Sequence, residues 1–78
     1  MLQYNTHDLR VFEVAVYNRD VRRAVKENRS HSLYGDHWAD VQRHDVAARS
    51  EAEAREMIAD RYPPAEGFVV GEMIPSGL

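Results

Sequence analysis

Three of the chain's four histidines and its only tryptophan fall in one stretch, HSLYGDHWADVQRH, from His31 to His44. Neutral imidazole and carboxylate suit zinc, nickel and other first-row ions, so His31, Asp36, His37, Asp40 and His44 are the candidate metal ligands. Whether they act together depends on the backbone. On a helix, His37, Asp40, Val41 and His44 share a face and project as a set. On a strand, Asp40 and His44 stay together with Trp38 and Gln42 while His37 turns away with Val41, and the set is broken. The spacing matches no zinc pattern such as HExxH, so the stronger reading is that these residues wrap a small domain and cap its turns.

Two other chemistries are represented. Ser30, His31, Ser32 and Asp36 are residue types found in nucleophilic triads, but a triad is defined by geometry rather than by local composition. The glycines stand isolated at positions 35, 67, 71 and 77 and form no phosphate cradle. A chain of 78 residues hardly encloses a pocket of several hundred Å3 on its own. Neither catalysis nor a cofactor is therefore expected. Arg19, Arg22, Arg23, Lys26 and Arg29 make a basic cluster, with Tyr17, Tyr34 and Trp38 nearby in sequence as stacking groups for nucleic acid. Asp20 and Glu27 interrupt that cluster, and a net charge of −3 opposes binding by bulk electrostatics.

These side chains must be positioned by elements, and the surrounding sequence indicates which. The run LRVFEVAVY, Leu9 to Tyr17, is rich in β-branched and aromatic residues. It predicts a strand with Phe12, Val14 and Val16 on one face and Leu9, Val11, Ala15 and Tyr17 on the other, covered on much of both sides. Glu13 is its one internal charge and is expected to face solvent or a partner. Asn18 or Asp20 then caps a first helix, Arg19 to Asn28, with Val21, Ala24, Val25 and Asn28 as its inner stripe. A loop from Arg29 to His37 follows.

Ser50 and Glu53 have the spacing of a capping box, in which each side chain satisfies a backbone N–H left open at a helix start. A second helix is expected from Glu51 to Arg61 or Tyr62, with Ala54, Met57, Ile58 and Tyr62 facing inward and Glu51 paired with Arg55; Pro63 and Pro64 end it. Because this helix starts at Ser50, and because two good strands need a third partner, Ala39 to Ala48 is assigned as a strand. FVVGEMI, Phe68 to Ile74, is the last strand, with Phe68, Val70 and Ile74 on one face and Val69 and Met73 on the other. Gly71 inside it marks a bulge or a close neighbour. The final PSGL is expected to fray.

The resulting order is β-α-β-α-β. It predicts an α+β domain spanning residues 1–78, a small three-stranded and at least partly antiparallel sheet with two helices packed on one face. Connection lengths leave a βαβ arrangement with parallel pairs open. The absence of cysteine excludes disulfides and thiolate sites, and no stretch has the ~20 apolar residues of a membrane span, so a cytoplasmic protein without membrane contact is expected. A chain this short buries a thin core, and pairing with a copy of itself is the expected remedy. Charge is divided as well: residues 1–34 carry six basic and four acidic side chains, and residues 35–78 carry four basic and nine acidic. Exposed sheet edges and this asymmetry suit a non-enzymatic interaction or structural module that forms a homodimer or binds another protein. Trp38 either anchors that contact or, more in keeping with its size, closes the core over the first helix. A nucleic-acid-binding accessory protein is the alternative, and a His/Asp metal-binding protein the second alternative.

Overall fold

In a computed structural model, which describes residues 9–76, the chain forms three strands and two helices. These are β1 (Arg10–Asn18), α1 (Arg19–Lys26), β2 (Gln42–Ala48), α2 (Glu51–Arg61) and β3 (Phe68–Pro75), with 3-10 turns at Asp36–Ala39 and Pro64–Glu66. The sheet order is β2-β1-β3 and both pairings are antiparallel, so the parallel alternative does not occur. The amino-terminal stretch before Leu9, and Gly77 and Leu78 of the expected frayed tail, lie outside the described residues. Within that tail, Pro75 still belongs to β3, and the Ser76 N–H donates to the Val11 carbonyl at 2.7 Å.

β1 is the middle strand, and its alternation sorts the fold. Phe12, Val14 and Val16 are buried against Val46 and Ala48 of β2, Ala54 and Ile58 of α2, and Phe68 and Met73 of β3. The opposite face is only partly covered: Val11, Glu13 and Tyr17 are half-buried, and only Ala15 is closed off. That corrects the expectation of cover on both sides. Glu13 pairs there with Arg43 of β2 at 3.2 Å.

The third strand departs from simple alternation at Gly71. Val16 faces Val70 but Val14 faces Met73, so one extra residue of β3 is accommodated between these pairs. A bulge of this kind reverses the faces beyond it. Met73 therefore points into the core with Phe68, and Ile74, expected on the same face as Phe68 and Val70, is 41% exposed on the other face.

Both helices begin where their caps dictate. Ser50 Oγ accepts from the Glu53 N–H at 3.1 Å, and the Glu53 carboxylate accepts in return from the Arg49 N–H at 3.2 Å, one residue earlier than the usual reciprocal partner. The expected Glu51–Arg55 pair forms at 3.3 Å. Met57, placed in the inner stripe by spacing, is 43% exposed, whereas Ala54 and Ile58 are the buried residues of α2. α1 ends at Lys26, short of the expected Asn28, which takes a left-handed backbone with φ 58° and turns the chain out. Val21 and Ala24 are buried as expected, while Val25 is exposed.

Candidate functional site

The first polar centre is a junction rather than a ligand pocket. Asn18 ends β1 and caps α1, and its side chain is fully buried. Its Oδ1 accepts from the N–H groups of Asp20 and Val21 at 2.9 and 3.0 Å, and its Nδ2 donates to the Glu66 carbonyl at 3.0 Å. The Arg19 N–H donates to the Gly67 carbonyl at 2.9 Å. Gly67 closes this junction with φ 95°, and a Cβ there would lie 2.4 Å from the Asp20 carboxylate and 2.8 Å from Asn18 Oδ1. Helix start and strand start are thus locked together.

The histidine-rich stretch folds as a turn followed by the start of a strand. The expected strand from Ala39 is shortened to Gln42, because Asp36–Ala39 turns as a 3-10 helix and lowers Trp38 onto the sheet. Two long side chains fasten this turn: Arg22 Nε donates to the Ala39 carbonyl at 2.8 Å, and Gln42 Nε2 to the carbonyls of His37 at 2.8 Å and Asp40 at 3.2 Å. Trp38 meets Phe68 edge-on at 5.1 Å between ring centroids and lies near Tyr62 at 5.2 Å. It stacks on His44 at 5.9 Å with 17° between planes. Tyr34 reaches the same cluster through Phe68 at 4.9 Å. Trp38 therefore closes the core, and α1 packs against the turn that carries it.

Each histidine has a separate role in this arrangement. His31 Nδ1 accepts from the backbone N–H groups of Leu33 and Tyr34 at 3.0 and 3.3 Å, folding the loop on itself. His37 is exposed beside Trp38, and His44 lies between Trp38 and Tyr62. Asp36 and Asp40 are exposed. Among the described residues no three His, Asp or Glu side chains converge on a point that would hold a metal ion. One polar atom in the cluster is orphaned: His44 Nε2 is buried without a hydrogen-bond partner. The Tyr34 hydroxyl donates to the Glu66 carboxylate, and this bond, followed by burial and by the carboxylate's charge, raises the hydroxyl above the ordinary tyrosine range.

Ser30, His31 and Ser32 line an open hollow of about 380 Å3 with Asp20, Arg23 and Arg29, and Ser30 also borders a second one with Val25, Asn28 and Asp36. His31 and Asp36 share neither hollow. Of the basic residues, Arg22 is taken up by the Ala39 carbonyl and by the Tyr17 ring, 3.8 Å from its guanidinium. Arg19 lies 3.9 Å from Asp20 and Arg29 pairs with Glu27, which leaves Arg23 and Lys26 exposed without an ion pair among the described residues.

The face of β2 that turns away from Trp38 and His44 carries a pattern of its own: Val41, just before the strand, then Arg43, Asp45 and Ala47 are all exposed, in the order apolar, basic, acidic, apolar. Compared with protein families, curated proteins and solved structures, the chain has no match. No helix of the described residues is long and apolar enough to cross a membrane.

Proposed function

We propose that this chain is a non-enzymatic interaction module of the cytoplasm that works by associating with itself through its sheet. The observation that carries the reading is the uncovered sheet face. Val11, Tyr17 and Val69 are half-buried there, with Leu9 43%, Val41 47% and Ile74 41% exposed around them. In a domain of this size, apolar surface left on a sheet gains more from a partner than from water. His31 folds its loop, His44 stacks in the aromatic cluster and Arg22 fastens the Trp38 turn, which favours contact over catalysis as the chain's activity.

Sedimentation velocity across micromolar to millimolar concentrations tests the proposal. Mass should rise above the 9.0 kDa of one chain as concentration increases, and salt should change it only modestly. A species fixed at one chain's mass at the highest concentration would remove the reading. Binding to an oligonucleotide that weakens steeply with salt would instead move the function to Arg23 and Lys26.

A further inference from the structure

We infer that two copies of this chain join edge to edge along β2, aligned about His44, to form one continuous six-stranded antiparallel sheet. The inference rests on the self-association reading and adds the β2 edge to it; edge pairing extends the open apolar face across both copies rather than covering it.

The two edges of the sheet are built differently. β3 carries the bulge at Gly71, an exposed Glu72 and, at its end, Pro75, which has no N–H to offer. These are the devices by which natural edge strands resist further pairing. β2 has no bulge, and its two exposed charges, Arg43 and Asp45, are opposite in sign. It pairs with β1 through an unbroken register from Arg10↔Ala48 to Val16↔Gln42, and it contains neither glycine nor proline. Its outer backbone groups form no hydrogen bond with any described residue. A hollow of about 200 Å3 opens between this strand and α2, lined by Asp45, Val46, Ala47, Met57, Ile58 and Arg61, with Met57 43% exposed beside it.

The order of side chains then selects the partner and the alignment. In an antiparallel pair related by a twofold axis, a residue at the axis faces its own copy, and residues equally spaced on either side face each other. With His44 at the axis, Arg43 faces Asp45 of the second copy and Asp45 faces Arg43, while Val41 faces Ala47 on the outer flanks. Moving the axis to Arg43 or Asp45 sets like charges face to face, and moving it further leaves both charges opposite apolar residues or beyond the strand. The open face of β2 is therefore complementary to itself in one alignment. The orphaned Nε2 belongs to the central residue of that alignment.

A charge-swap series on the full chain, read by sedimentation with circular dichroism to confirm folding, tests the inference. Asp45→Arg leaves Glu13 a basic neighbour and so preserves the protomer, but it sets arginine against arginine across the axis twice. Cross-strand like charges are destabilising, and the dimer dissociation constant should rise about tenfold or more. Combining Arg43→Asp with Asp45→Arg reverses both pairs and should restore wild-type association. Because the chain has no cysteine, His44→Cys supplies a direct measure of alignment: opposed residues about 4.5–5.5 Å apart between Cα atoms fall within disulfide reach. Mild oxidation should then yield a covalent dimer. Wild-type association that survives Asp45→Arg unchanged, a double swap as weak as the single one, or folded His44→Cys that does not cross-link would each overturn the β2 alignment while leaving self-association through another surface standing. A wild-type chain that never exceeds one copy would overturn both.

Discussion

The junction at Asn18 and the stretch from His31 to His44 are the two most polar places near the core, and they are held by different means. At Asn18 one short side chain makes three hydrogen bonds while fully buried, and a glycine opposite leaves it room. In the histidine-rich stretch, ring stacking does most of the holding, backbone carbonyls are tied by Arg22 and Gln42, and one imidazole nitrogen has no partner. The density of functional-looking groups is therefore a poor guide to where polar structure is exacting. A single amide in a closed space tolerates less change than a row of histidines on a half-open one, because an unmet buried group costs its full desolvation.

The largest effect that distinguishes the two regions should come from Gly67→Ala. The added methyl would meet Asp20 and Asn18 at under 3 Å, and the residue would be held at a positive φ. Left-handed backbone costs a non-glycine residue ~1–2 kcal/mol, and disturbing the Asn18 cap costs a similar amount, so a loss of about 3 kcal/mol is expected. Urea unfolding followed by circular dichroism measures it. A loss below about 1 kcal/mol would show that the junction yields easily and that the contrast with the histidine stretch is wrong.

What was legible beforehand follows the range of the interactions involved. The Ser50–Glu53 cap, the Glu51–Arg55 pair and the double proline act within a few residues, and α2 runs from Glu51 to Arg61 as expected. Asn18 was recognisable as a cap, but its bond to Glu66 and the φ of Gly67 depend on a segment 48 residues away. Gly71 was recognisable as a bulge, yet Met73 and Ile74 exchange faces only once β1 fixes the register. Trp38 presented the same difficulty in stronger form. The helix start at Ser50 and the need for a third strand put a strand from Ala39 onward, just after Trp38, whereas a 3-10 turn secured by Arg22, from another helix, brings the indole onto the core face. The metal candidates fared accordingly: their types were visible, but their separation was decided by that turn.

An intermediate effect is expected from the second region. Trp38→Ala removes a half-buried indole that contacts Phe68, Tyr62 and His44. Full truncation of a buried tryptophan costs ~3–5 kcal/mol, and partial exposure reduces this to about 2 kcal/mol. Thermal melts compared with the Gly67→Ala protein give the ranking, and tryptophan emission, which this residue alone supplies, reports its environment in the parent chain. If Trp38→Ala proves more damaging than Gly67→Ala, the stacked cluster rather than the Asn18 junction is the centre of stability.

The smallest effect lies where the two regions touch, at the bond from the Tyr34 hydroxyl to Glu66, whose carbonyl also receives Asn18 Nδ2. Because the folded hydroxyl holds its proton to higher pH than a free tyrosine, its contribution is fully present below the unfolded tyrosine value near 10 and is lost as pH rises through the folded value. Tyr34→Phe should therefore melt slightly below the parent at neutral pH. The gap should close in alkali and then reverse, since a tyrosinate beside a carboxylate disfavours the fold and phenylalanine carries no such charge. Absorbance titration should show the same group as a late ionising component that disappears in Tyr34→Phe. A constant gap across the alkaline range would mean that the hydroxyl bond does not couple the loop to the Asn18 junction, and that the two polar regions are independent.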